Sequence, residues 1–153
     1  MGIEKDIQQA NFRNEFQKMG INIIFTANWL NEHVAGFLNK EDITVQQYNI
    51  LRILRGSDAP LSTLQIRERM LDKMSDTSRI VDRLIVKGLV QKSACKVDKR
   101  LVDIILTEKG LQLVIKLDQY NDQIDATLKG VSEKEASQIN QVLDKLRNAS
   151  NEK

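Results

Sequence analysis

The stretch Ser75-Asp-Thr-Ser-Arg-Ile-Val-Asp-Arg-Leu84 gathers hydroxyls, carboxylates and guanidiniums over less than three helical turns. Placed at 100° per residue, Thr77, Ile80, Val81, Leu84 and Ile85 share one side. Ser75, Arg79, Asp82 and Val86 form the opposite stripe, flanked by Asp76, Ser78 and Arg83. Short hydroxyls and forked donors at a helix N-terminus suit the edges and phosphates of a DNA major groove. There an arginine can pair with guanine O6 and N7 while serine or threonine bonds a base or a phosphate. A solvated helix face would account for the same charges, and capping would account for Ser75. Asp82 repels phosphate, so it either orients Arg79, Arg83 or a neighbouring basic hairpin through charge-assisted bonds, or accepts from a cytosine amine.

A second basic group follows. Of two strand-like runs, residues 89–95 and 101–106, the first carries Lys92; the polar turn Lys96-Val97-Asp98-Lys99 between them carries Lys96 and Lys99, and Arg100 follows it. A basic turn beside a reading helix can put Arg100 into the adjacent minor groove, with Asp98 holding the loop. A solvated basic hairpin is the alternative. The whole chain carries a net charge of only +2, but residues 44–110 hold thirteen Lys and Arg against eight Asp and Glu. That leaves a basic middle between acidic flanks, as expected of a DNA-reading module set between scaffold helices.

The elements that must position these groups are legible from caps and periodicity. Thr44 with Gln47, Ser62 with Gln65 and Ser132 with Glu135 are three capping boxes, each opening a helix. The first opens residues 45–55, which Gly56 would end in a left-handed conformation. The second helix runs over 63–70, residues 71–74 connect, and the third runs over about 76–87 and stops at Gly88. Ahead of these, apolar residues from Ile3 to Leu38 recur at helical spacing, as one long helix or two broken near Gly20. After the hairpin the helical period returns at Thr107, with Gly130 dividing two further helices. The chain reads as mainly α with a small β-hairpin. A winged helix-turn-helix core over 44–110 is flanked by helices over 1–38 and 111–148, all in a single domain.

The absence of a membrane-length apolar run, a signal-peptide pattern or cysteine pairs gives a cytoplasmic expectation. One Cys and one His make no zinc set, so no metal and no cofactor are expected. With no nucleophile–base pair, no phosphate-cradling glycine loop and no carboxylate constellation, the chain does not read as an enzyme.

Four pieces in order carry a family resemblance: Ser75 to Leu84, Lys87-Gly-Leu-Val90, Asp98-Lys-Arg100 and Leu106-Thr-Glu-Lys-Gly110. Together with Thr44-Val-Gln-Gln-Tyr-Asn-Ile-Leu51 they resemble the multiple-antibiotic-resistance regulator (MarR) family. The resemblance implies an obligate homodimer on pseudo-palindromic double-stranded DNA, usually a repressor, with Asp98 and Arg100 supporting minor-groove contact. The candidate DNA contacts are thus Ser62, Ser75, Asp76, Thr77, Ser78, Arg79, Asp82, Arg83, Lys96, Asp98, Lys99 and Arg100. Arg67, after Ile66, stands where the family often has a small residue, and would either snorkel outward or touch phosphate. A winged-helix module that binds protein through the same surface is the rival reading.

For the dimer, Val114, Leu117, Asn121, Ile124 and Leu128 step 3-4-3-4, a seam suited to a partner helix. Ile139, Val142 and Leu146 add an edge, and Ile3 and Ile7 contribute from the N-terminus, with packing inside one subunit as the alternative. Proteins resembling the family often answer to a small aromatic or phenolic ligand. Trp29, His33 and Phe37 share a helix face, with Tyr48 and Arg52 on the next helix, and are the candidate effector pocket. Cys95 has Lys92 and Lys96 beside it, which would favour its thiolate, but an incidental, partly exposed thiol is the preferred reading because reactivity needs more than cationic neighbours.

Overall fold

The computed structural model describes residues 2–94 and 102–148. The chain divides into two compact units, with the boundary between Gln119 and Tyr120.

In the first unit, α1 (Ile3–Asp6) is a single turn, and α2 (Glu15–Leu38) is one continuous helix through Gly20. Of the two readings, a break near Gly20 is not found; the interruption lies earlier, between Ile7 and Asn14, where Gln8 takes a positive φ of 54°. The restart has a local cause. Asn14 accepts from the Gln17 backbone at 2.9 Å, and the Gln17 side chain accepts from the Arg13 N–H. After a 3-10 turn (Asn39–Glu41) come α3 (Val45–Arg55), β1 (Leu61–Ser62), α4 (Thr63–Arg69) and α5 (Thr77–Val86). The strands β2 (Val90–Ala94) and β3 (Val102–Leu106) follow, then α6 (Glu108–Leu117). All three capping boxes form, each with the hydroxyl and the longer side chain bonded reciprocally.

The sheet is antiparallel throughout, in the order β1-β3-β2, with Leu61 opposite Ile104 and Val90 opposite Leu106. Helices α3, α4 and α5 pack on one another, α3 also packs on α6 and β3, and α5 packs on β2. Their shared core is apolar: Ile50, Leu51, Leu54, Ile66, Val81, Leu84, Leu89, Val90 and Ile104 are buried. The fold is mainly helical with a small sheet, a winged helix-turn-helix.

The end of α5 is held by an interlock between two distant pieces of sequence. Gly88, at φ +69°, lets the Leu89 N–H reach the Leu84 carbonyl at 3.0 Å and the Gly88 N–H reach Ile85 at 2.8 Å. This pairing is a Schellman motif, and the left-handed residue at its centre favours glycine. The Thr107 hydroxyl then donates to the Gly88 carbonyl at 2.7 Å, and the same oxygen accepts from Gly110 N–H to cap α6. A Cβ at Gly110 would sit 2.0 Å from the Leu89 carbonyl oxygen, so only glycine lets α6 begin this close to the chain leaving α5. Gly56 behaves differently from expectation: it ends α3 at φ −81°, outside the left-handed region.

The second unit holds α7 (Asn121–Leu128) and α8 (Glu133–Asn148), neither with a buried residue. The seam expected for a partner divides accordingly. Val114 and Leu117 are buried on α6, which packs on α3, and Ile3 is buried as well. All three are buried within the chain itself, Val114 and Leu117 against the apolar face of α3, so they belong to its own core rather than to an interface. Ile7 and Ile124 are half-buried, while Asn121, Leu128, Ile139, Val142 and Leu146 are exposed or half-exposed.

Candidate nucleic-acid interface

The turn between α4 and α5 is tied by side chains acting on backbone. Asn49 of α3 accepts from the Leu71 N–H at 2.9 Å. Asp72 accepts from the Met74 N–H at 3.0 Å through its carboxylate, and from the Ser75 hydroxyl at 2.8 Å through its carbonyl. An aspartate bonding the backbone two residues on is a turn device that competes well with helix. Sequence reasoning singles out neither Asn49 nor Asp72, although the Asp-x-Met-Ser run is the local signal for the second.

α5 then begins one residue later than Ser75 suggests. Its N-cap is Asp76, whose carboxylate accepts from the Arg79 N–H at 3.1 Å, a charge-assisted bond at the positive end of the helix. The Ser75 hydroxyl is spent on Asp72 instead. Thr77 is 3% exposed, and its Oγ1 has no hydrogen-bond partner among the described residues. It therefore cannot serve as a DNA contact in this conformation, because it lies on the same side as Val81 and Leu84. The helical wheel puts it on the packing side, and that side prevails.

The outward stripe is as the spacing gives it. Ser78, Arg79, Asp82, Arg83 and Val86 are all exposed. No ion pair among the described residues joins Asp82 to Arg79 or Arg83, so the organising role expected for Asp82 is not realised with either of them. Both guanidiniums are thus presented to solvent on a helix whose opposite face is anchored in the core. Ser62 is half-exposed, with its oxygen accepting from Gln65 N–H as the cap of α4. Arg67 is exposed and lines a cleft of about 490 Å³ between α4 and the start of α5, together with Leu64, Met74 and Ser78. Lys96, Asp98, Lys99 and Arg100, with Cys95, lie outside the described residues; the strands on either side of them pair in register up to Ala94 and Val102.

The five candidate effector residues make local contacts. Trp29 and His33 pack with ring centroids 4.6 Å apart and ring planes tilted by 52°, and His33 Nδ1 is 2.8 Å from the Trp29 carbonyl oxygen. Lys40 lies over Phe37, and Arg52 lies over Tyr48 at 5.8 Å. These are contacts within or beside a single helix, as i, i+4 spacing produces. None of the five lines the cleft beside Arg67, a second behind the helix-turn-helix, or a third at the far end of α5.

Comparison with known proteins shows what the chain is similar to. Residues 43–102 match the model of the MarR family. Over that segment the chain is similar to the MarR family. The matched segment runs from the residue before the α3 cap to the first residue of β3, which takes in every candidate DNA contact. A curated relative, the HTH-type transcriptional repressor IacR of Pseudomonas putida, is 25% identical over 114 residues, covering 74% of this chain and 68% of that one. A solved structure of a mutant MarR from E. coli complexed with operator DNA superposes with a TM-score of 0.79 at 23% identity, covering 90% of this chain and 99% of that one. BpsR of Bordetella bronchiseptica, whose DNA binding is regulated by 6-hydroxynicotinic acid, superposes with a TM-score of 0.78 at 20% identity, covering 90% and 98%. MarR-family proteins are transcription regulators, not enzymes. No helix of the described residues is long and apolar enough to cross a membrane.

Proposed function

We propose that this chain is a transcription regulator of the MarR family, a homodimeric repressor that binds a pseudo-palindromic operator and is released from it by a small-molecule effector. The observation that carries the reading is the outward stripe of α5. Two arginines and a serine, unpaired among the described residues, stand on a helix locked at both ends by side-chain and backbone bonds. A helix so fixed can enter a major groove without losing order, and Arg79 and Arg83 can fork to guanine or to phosphate. The half-exposed Ser62 at the start of α4 adds a hydroxyl suited to a phosphate contact. The operator complex of the E. coli relative supports DNA as the partner, and the BpsR relative supports control by a small molecule. The exposed apolar edge of Leu128, Ile139, Val142 and Leu146 supports a second copy of the chain as the other partner.

Fluorescence anisotropy with duplexes from the region upstream of the protein's own gene, and with scrambled duplexes, tests the reading. Arg79→Ala is expected to cost about 1–3 kcal/mol on the preferred sequence and much less on the scrambled one. Equal losses on both would make Arg79 a phosphate contact. Absence of any duplex binding by the unmodified chain would favour the protein-binding alternative.

A further inference from the structure

The cleft of about 490 Å³ between α4 and the start of α5 carries two large apolar side chains, Leu64 and Met74, among polar neighbours that include Arg67, Ser75, Asp76 and Ser78. Leu64 is 64% exposed and Met74 94%. Neither belongs to the core. α4 buries Ile66, and Met70 follows it inward four residues on, whereas Leu64 stands about 200° around the helix from Ile66. Met74 has its backbone N–H held by the Asp72 carboxylate at 3.0 Å, so its place in the turn is fixed while its unbranched, polarizable side chain can adapt. A single exposed apolar residue needs no explanation, but two lining one cleft make a patch with something to cover it.

The position of the patch says what that is. Ser78 both lines the cleft and stands on the outward stripe of α5 beside Arg79. The cleft is therefore the N-terminal continuation of the stripe, and a surface that meets the stripe meets Leu64 and Met74 as well. In a major groove the base edges present hydrogen-bonding groups, and thymine alone among the four unmodified bases adds an apolar one, its C5 methyl. A phosphate suits the cleft poorly. Leu64 and Met74 would strip its water without returning hydrogen bonds, and the Asp76 carboxylate, which accepts from the Arg79 N–H, would repel it. Arg67, exposed on the α4 wall, supplies a cation for the phosphate that flanks such a base.

We propose that Leu64 and Met74 are specificity-determining residues that read thymine methyl groups at the edge of each half-site, next to the bases met by the α5 stripe. The proposal rests on the DNA reading given above and adds a demand that charges and hydroxyls do not make, a methyl group at defined positions. The probe is a duplex selected by the unmodified chain from a random pool, with each thymine replaced in turn by deoxyuridine, which removes the C5 methyl and keeps the base pair. Anisotropy titrations compare the unmodified chain with Leu64→Ala/Met74→Ala; both side chains are exposed, and an unchanged thermal melt verifies the fold of the variant. Uracil is expected to weaken binding by the unmodified chain about fourfold at one or more thymines of each half-site, the worth of one buried methyl-sized group. At those positions the variant is expected to lose less than about twofold, so that the two changes are coupled. Indifference of the unmodified chain to uracil at every thymine, or an equal uracil penalty in the variant at every thymine, would overturn the assignment and leave DNA binding standing. Selection of no duplex at all would refute the DNA reading itself, and the assignment with it.

Discussion

Helices α5 and α8 are both amphipathic by sequence, yet they end in opposite situations. α5 buries Val81 and Leu84 against α3, α4 and β2 and turns its charged stripe outward. α8 leaves Ile139, Val142 and Leu146 between 43% and 58% exposed and has no buried residue. An apolar stripe at helical spacing says that a helix has something to cover, not what covers it. For α5 the cover is within the chain, and the polar face left over becomes the candidate reading surface. For α8 the apolar face itself is left over, which is why a second copy of the chain is proposed for it.

The contrast can be broken first at the anchor of α5. Gly110→Ala puts a methyl group 2.0 Å from the Leu89 carbonyl, a backbone atom that cannot swing aside. About 3 kcal/mol of stability is expected to be lost in chemical denaturation, with DNA affinity falling as α5 loses its C-terminal tether. Gly20→Ala, with nothing within 4 Å, serves as the control and is expected to gain about 0.5–1 kcal/mol. At the other helix, Ile139→Asp with Val142→Asp is expected to raise the dimer dissociation constant at least tenfold in sedimentation equilibrium, equivalent to about 1.4 kcal/mol. An unaltered dimer would move the interface elsewhere, to the exposed Phe16, Ile24 and Phe25 of α2.

The smallest effect concerns the start of α8. The Ser132 backbone N–H, and then its hydroxyl, hold the Glu135 carboxyl below its ordinary value of 4.5. A depressed carboxyl contributes stability above its unfolded value and loses it as pH falls through the folded value. NMR titration of the Glu135 side chain is expected to show a midpoint below 4.5, with α8 amide shifts following it. A midpoint at or above 4.5 would mean that the box is open in solution.

What is legible in the sequence is what is local. Each capping box is a four-residue device, so Thr44, Ser62 and Ser132 announce their helices without tertiary information. Gly88 ends α5 for the same reason. The requirement at Gly110 can be matched to a family pattern, but its cause lies in Leu89, far back along the chain, and shows only in the fold. Strand β1 is invisible because two residues carry no period, and their pairing with Asp103 and Ile104 is non-local. At the candidate site the wheel places Arg79, Asp82 and Arg83 outward and Thr77 inward. The cap falls one residue away from its expected place because Ser75 and Asp76 are both good caps, and only the Asp72 carbonyl, by taking the Ser75 hydroxyl, decides between them. The aromatic grouping shows the same limit: sharing a face at i, i+4 brings Trp29 to His33 but does not say whether a cavity lies beside them.

The claim that the outward stripe of α5 reads DNA is tested most directly by the salt dependence of duplex affinity for the unmodified chain and for Arg79→Ala/Arg83→Ala. Each phosphate neutralised by a cation releases counterions, so the slope of log K against log salt counts such contacts at about −0.9 each. The account predicts steep loss of affinity between about 50 and 200 mM salt for the unmodified chain. It also predicts that the double variant loses at least tenfold in affinity for the preferred sequence over a scrambled one, about 1.4 kcal/mol of discrimination. Salt-insensitive or absent duplex binding, or a double variant that discriminates sequences as well as the unmodified chain, would contradict it.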